Sequence, residues 1–118
     1  APDDIAWVAT GANGSLVGDA VEARALEAVL GRKPLVAACK GAVGETFSAG
    51  AAMQAALAVL ALERNEVPPT AHCTELDRRC PVDCWSGASR PAPRGAVLLS
   101  ADSPMGMGAA GLIRRWEG

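Results

Sequence analysis

Three groups of residues in this chain are of types that do chemistry. The first is Lys40-Gly41-Ala42-Val43-Gly44-Glu45-Thr46, a glycine-punctuated turn with one cation and one carboxylate. At a helix mouth such a pair can exchange protons or hold each other as ions, and the helix dipole favours the carboxylate there. The second is Asp19 with Glu22 three residues on, the spacing of an N-cap and a capping box. The third is His72-Cys73 with Cys80 and Cys84, spaced C-x6-C-x3-C. It lacks the tight C-x-x-C knuckle that structural zinc sites use. A metal site and a disulfide stand as alternatives to ordinary loop thiols, and the spacing favours the thiols. His72 is a lone histidine in a loop and reads as solvent-facing. Met53, Met105 and Met107 read as packing filler. No residue is assigned to a cofactor or a metal.

These groups need elements to hold them. The Lys40 turn opens a helix from Phe47 to about Glu63, and nearly every residue of it is apolar and small. A helix that is apolar all round is buried on every side, so it is expected between two other layers. Before it, Ile5 to Ala9 reads as a strand feeding the turn Thr10-Gly11-Ala12-Asn13-Gly14-Ser15. A helix follows from Asp19 to about Leu30, stopped by Gly31. Its expected apolar stripe is Val21, Ala25, Leu26, Val29 and Leu30, with Glu22, Arg24 and Glu27 toward solvent. Leu35 to Cys39 is a second strand, and Asn65 with Pro68-Pro69 ends the buried helix. Thr70 to Arg94 reads as a long loop with one short extended piece at Val82, Cys84 and Trp85. Gly95 to Ser100 is a third strand, and Leu112-Ile113 belongs to a last one. The order β-α-β-α-loop-β-β predicts an α/β layered architecture.

Composition bounds the function. With 118 residues the chain is one domain at most, and it is short for a helix covered on both sides, which suggests part of something larger. Half its residues are hydrophobic, yet Trp7, Trp85, Trp116 and Phe47 are its only aromatics, so the core must come from close packing of small and branched side chains. A net charge of −2 without a basic cluster speaks against nucleic acid. The apolar helix is short of the ~20 residues that span a bilayer, so no membrane partner is expected. Ala1-Pro2-Asp3-Asp4 has neither the charged nor the apolar region of a secretory signal, and the four cysteines are read as reduced thiols of a cytoplasmic protein.

Taken in order, these pieces resemble the C-terminal half of the β-ketoacyl synthases, the condensing enzymes of fatty acid and polyketide assembly. The resemblance runs from about Asp4 to Arg115 and is strongest from Asp19 to Thr70. Asp19 and Glu22 match a D-x-x-E, Lys40-Gly41 a K-G, and Gly44 the glycine that follows. Ala49-Gly50 matches the small pair of the buried helix, and Pro68-Pro69-Thr70 the P-P-T that ends it. The resemblance implies a thiolase-like half, with a mixed β-sheet, layered helices and a buried central helix. Residues 1–118 would form a C-terminal half domain of a longer or split subunit.

The same resemblance implies a Cys nucleophile in the absent N-terminal half and two histidines in this one. One histidine belongs to an H-G-T-G-T turn, where Thr10 stands here. The other closes a K-G-x-x-G-H turn, where Glu45 stands. The family's G-F-G-G-T-N hairpin is reduced to Gly106-Met107-Gly108-Ala109-Ala110, and Cys39 is not at the nucleophile position. Condensation requires hydrogen-bond donors that stabilise an enolate, work that imidazoles do. A threonine is a weak donor, and an ionised glutamate has the wrong sign. Thr10, Glu45 and Lys40 are therefore degenerate site positions, with Lys40 expected in an ion pair with Glu45 or Glu22. The implied function is that of a non-catalytic, chain-length-factor-like subunit. It would pair with an active ketosynthase, and an acyl carrier protein is a further possible partner. A residual acyltransferase or decarboxylase, and a scaffold without acyl ligand, are the alternatives.

Overall fold

The computed structural model describes residues 1–31 and 33–118. Its centre is β1 (Ile5–Thr10), whose six residues are all buried. Trp7 is 1 % exposed, and Val8 and Ala9 are fully covered, so the strand must be packed on both faces. β2 (Leu35–Ala38) and β6 (Ala96–Asp102) flank it in parallel, with Val8 opposite Val36 on one side and Leu98 on the other. β4 (Asp83–Cys84) adds a parallel edge beside β2, and β7 (Gly108–Ile113) an antiparallel edge beside β6. The sheet order is β4-β2-β1-β6-β7. β3 (Glu66–Val67) and β5 (Arg90–Pro91) form a separate two-stranded ribbon.

Side chains alternate across the sheet, as the pleat requires. Val8, Val36 and Leu98 face α1 (Gly18–Leu30), where they meet Ala23, Leu26 and Leu30. Trp7, Ala9, Ala37 and Val97 face α3 (Gly50–Arg64), where they meet Ala58 and Ala61. The two alanines let the α3 backbone lie close to the sheet. Burying each branched side chain of these clusters contributes about 1.5–3 kcal/mol. The result is a mixed sheet between helical layers: the order of elements predicted the α/β layering, and the family resemblance implied the mixed sheet.

Several expectations need correction. The Lys40 turn is itself helical, α2 (Lys40–Val43), and Phe47–Ala49 forms a 3-10 turn ahead of α3. Within this chain α3 is not buried on every side. Gly50, Gln54, Ala58 and Ala61 are covered, whereas Met53, Val59 and Leu60 are 38–49 % exposed, because the sheet lies on one face only. On α1 the buried set is Ala20, Glu22, Ala23, Leu26 and Leu30, while Val21 and Val29 point to solvent. The 70–94 segment contains β4 and β5, not one edge strand alone. The helix ends are as read: Gly31 and Asn65 both take the left-handed conformation. Among the described residues no helix is long and apolar enough to cross a membrane.

Candidate functional site

β1 delivers Thr10 to the C-terminal end of the central strand, where its hydroxyl is buried without a hydrogen-bond partner among the described residues. The glycine-rich turn that follows is held by two carboxylates from α1. Asp19 accepts from the Asn13 N–H at 3.1 Å and the Gly14 N–H at 2.9 Å. Glu22 accepts from the Gly11 N–H at 3.0 Å. This corrects the capping expectation. Val17 is the N-cap of α1 and caps with no side-chain bond, while Ser15 Oγ accepts from the Gly18 N–H at 3.0 Å. Asp19 and Glu22 are turn clamps, and Glu22 is buried rather than solvent-facing.

Glu22 is in a costly place. Burial pushes its carboxyl pKa up, and the nearby Asp102 and Asp19 charges add to this, while hydrogen bonds from Ser100 and Gly11 oppose it. Gly11 is packed against the same group: a Cβ there would lie 3.3 Å from Asp102 Oδ1, 3.4 Å from the Ser100 carbonyl and 3.7 Å from Gln54 Nε2. The turn, the end of β6 and the first turns of α3 therefore converge.

The second turn meets the first through Glu45. Its Oε2 accepts from Asn13 Nδ2 at 2.8 Å and from Lys40 Nζ at 3.0 Å, and its Oε1 from the Phe47 N–H at 2.8 Å. These donors, Asn13 foremost, then Lys40 and the Phe47 N–H, hold the carboxyl at a pKa of about 2. Glu45 is thus an anion at any physiological pH. Lys40 leaves only 13 % of its side chain exposed, lies against Gly50 and takes Glu45, not Glu22, as its ion-pair partner. Of the positions singled out in the sequence, Lys40 and Glu45 come together directly, and Thr10 heads the turn that Asn13 ties to them.

Two members of the cluster escaped the sequence reading. Asn13 is the bridge between turns, and only its place in a Gly-Ala-Asn-Gly run signalled it. Gln54 is 1 % exposed, its Oε1 has no hydrogen-bond partner among the described residues, and it is the lone polar side chain in the middle of an apolar helix. That contrast was a usable signal.

On the α1 side a cavity of about 420 Å³ opens between α1, the end of β2 and residues 70–84. Thr10, Glu22, Leu26, Cys73, Cys80 and Cys84 are among its lining. The three loop cysteines are free thiols, and the Cys84 and Cys73 sulfurs lie 3.5 Å apart. Burial first, then the neighbouring Cys84 and Cys80, raises the Cys73 thiol to about 11. His72 sits at a left-handed turn and is exposed. Among the described residues, no group of three or more His, Cys, Asp or Glu is placed to hold a metal ion.

A parallel sheet core with an antiparallel last strand, helices on both faces and polar turns at the strand ends defines one thiolase-like half. The model of the beta-ketoacyl synthase C-terminal domain matches residues 1–74, and the chain belongs to that family. It is 40 % identical over 92 residues to the 3-oxoacyl-[acyl-carrier-protein] synthase 2 of Mycobacterium tuberculosis, covering 77 % of this chain and 22 % of that protein. It is 39 % identical over 118 residues to a putative polyketide beta-ketoacyl synthase 2 of Streptomyces halstedii, covering 97 % of this chain and 28 % of that one. Among solved structures, the ishigamide ketosynthase/chain length factor superposes with a TM-score of 0.86 at 26 % identity, over 95 % of this chain and 28 % of its own. A beta-ketoacyl synthase from Burkholderia phymatum gives 0.86 at 24 % identity, over 98 % and 29 %, and shows the same fold. The chain thus spans about a quarter of the length of the curated relatives it matches.

Proposed function

We propose that this chain is the C-terminal part of a ketosynthase-like subunit that does not itself condense acyl units. It supports chain elongation in polyketide or fatty acid synthesis by pairing with an active ketosynthase, in the manner of a chain length factor. One observation carries the reading. Glu45, at the position where the resemblance expects a histidine, is a fixed anion tied to Lys40, Asn13 and the Phe47 N–H. A negative charge there opposes the enolate that condensation must stabilise, and Thr10 at the other expected histidine offers only a hydroxyl. The likeness to the ishigamide ketosynthase/chain length factor supports the same reading. The remaining three quarters of the subunit, and an acyl carrier protein that delivers the chain, are the implied partners.

Reconstitution of the full subunit with a ketosynthase tests this. Glu45→Ala and Thr10→Ala should each leave product formation within about twofold of the parent, because neither group is asked to stabilise a transition state. Loss of turnover at either position would replace this reading with that of an enzyme retaining acyl transfer or decarboxylation. Unchanged turnover with a shifted product length would place these residues along the acyl path.

A further inference from the structure

The cysteines of residues 70–84 play no part in the reading above. Two of them are arranged for a reaction of their own. Cys84 lies in β4, held in register opposite Val36, and the neighbouring Asp83 carboxylate takes Arg90 at 3.0 Å. Cys73 follows Thr70 closely, and Thr70 is pinned twice: its N–H donates to the Trp85 carbonyl at 2.7 Å, and its hydroxyl accepts from the Ala38 N–H at 3.1 Å. The excursion from Ala71 to Cys84 therefore leaves and returns at one point, and the two sulfurs meet at its neck, 3.5 Å apart. Both thiols line the 420 Å³ cavity and are partly exposed. Cys80 lines the same cavity but, among the described residues, makes no thiol–thiol hydrogen bond of this kind, and Cys39 sits apart at the start of α2.

We propose that Cys73 and Cys84 are a dithiol modification site, oxidised by a small-molecule disulfide to an intrachain disulfide that locks the cavity wall. One cysteine thiolate attacks the small disulfide and expels one small thiol. The second cysteine thiolate then attacks the resulting mixed disulfide and expels the other. Two S–H bonds of the protein are lost and one S–S bond forms. The two protons and two electrons leave with the small disulfide as two thiols. The sulfurs need only approach by about 1.5 Å to reach bonding distance. The link closes the excursion that carries Leu76, Arg78 and Arg79, so the wall loses freedom to swing away from α1.

The full-length protein is incubated with oxidised glutathione, with and without denaturant, then alkylated and digested with trypsin. In the folded protein the peptide Asn65–Arg78 should be joined to Cys80–Arg94, about 2 Da lighter than the sum of the two, with fragmentation placing the link on Cys84. In denaturant Cys80–Cys84 should dominate instead, because it closes the shortest loop. Cys80→Ser should keep the native link and Cys84→Ser abolish it. Before full digestion, cleavage at Arg78 and Arg79 should slow by about fivefold or more on oxidation and recover with dithiothreitol. A native link through Cys80, the same pattern folded and denatured, or a cleavage rate that ignores the link would each overturn the proposal.

Discussion

Two glutamates that bond the same glycine-rich turn are driven in opposite directions by their surroundings. Glu45 is held near a pKa of about 2 by Asn13, Lys40 and the Phe47 N–H. What it contributes to stability is fully present above the unfolded value of 4.5 and is lost as pH falls toward 2. Glu22 has the opposite sign. Burial raises its folded pKa, so the fold prefers the protonated form. Its penalty is absent below 4.5 and grows as pH rises through the raised folded value. Glu22→Gln removes the charge and keeps an oxygen for the Gly11 N–H. Thermal unfolding should therefore show a higher Tm than the parent at pH 7, with the gap closing as pH is lowered toward 4.5. Glu22→Ala removes the acceptor as well and should cost about 1–3 kcal/mol, the usual loss for a buried N–H left unpaired. Equal behaviour of the two variants would mean that the Gly11 clamp does not matter.

At the level of elements, the strands and helix ends were readable because they are local. The apolar run Ile5 to Ala9, the stop at Gly31 and the left-handed Asn65 need only short-range physics. The buried face of α1 was not readable. Val21 and Val29 suited the inner stripe by type, yet Glu22 points inward because Gly11 and Ser100 can satisfy it, and both are distant in sequence. β4 and β5 are two residues each, too short to show a period. Within the site, the sequence put Lys40 and Glu45 in one turn but left Glu22 open as the partner of Lys40, and Asn13 reaches Glu45 across 32 residues with no local pattern to announce it. The α2 turn supplies a test by contrast. At Gly41 a Cβ would sit 2.4 Å from the Ala71 carbonyl, so Gly41→Ala must push the backbone that leads to Cys73. Urea unfolding should register a loss of about 1–3 kcal/mol from this overpacking. At Gly44 a Cβ meets nothing, but φ is +82° and ψ is 176°, a region that glycine alone occupies easily. Gly44→Ala should cost about 1–3 kcal/mol through backbone strain. The two differ in what they disturb: Gly41→Ala should speed tryptic cleavage at Arg78 and Arg79, and Gly44→Ala should not.

For the molecule as a whole, the question is what covers α3. Its inner face is complete: Gln54, Ala58 and Ala61 are almost wholly buried on the sheet. Its outer face carries Met53, Val59 and Leu60, and Phe47 at its approach is 84 % exposed. Sequence of this kind has no polar face to offer water, and apolar patches left open on a soluble protein mark a surface meant to be covered. The chain spans about a quarter of its relatives' length, and on the function proposed above the rest of a longer subunit would be the cover. It follows that residues 1–118 produced alone should bind a hydrophobic dye strongly and self-associate on size exclusion. Leu60→Glu with Val59→Lys should weaken both effects, since the two residues are 49 % and 44 % exposed on the outer face and neither belongs to the buried clusters against the sheet. In the full-length subunit the same pair of substitutions should do the reverse. There it would place charge in a closed interface, at a cost of several kcal/mol, and lower the yield of folded protein. A chain that elutes as a well-folded monomer and ignores the dye would show that this half stands alone and that the outer face of α3 needs no partner.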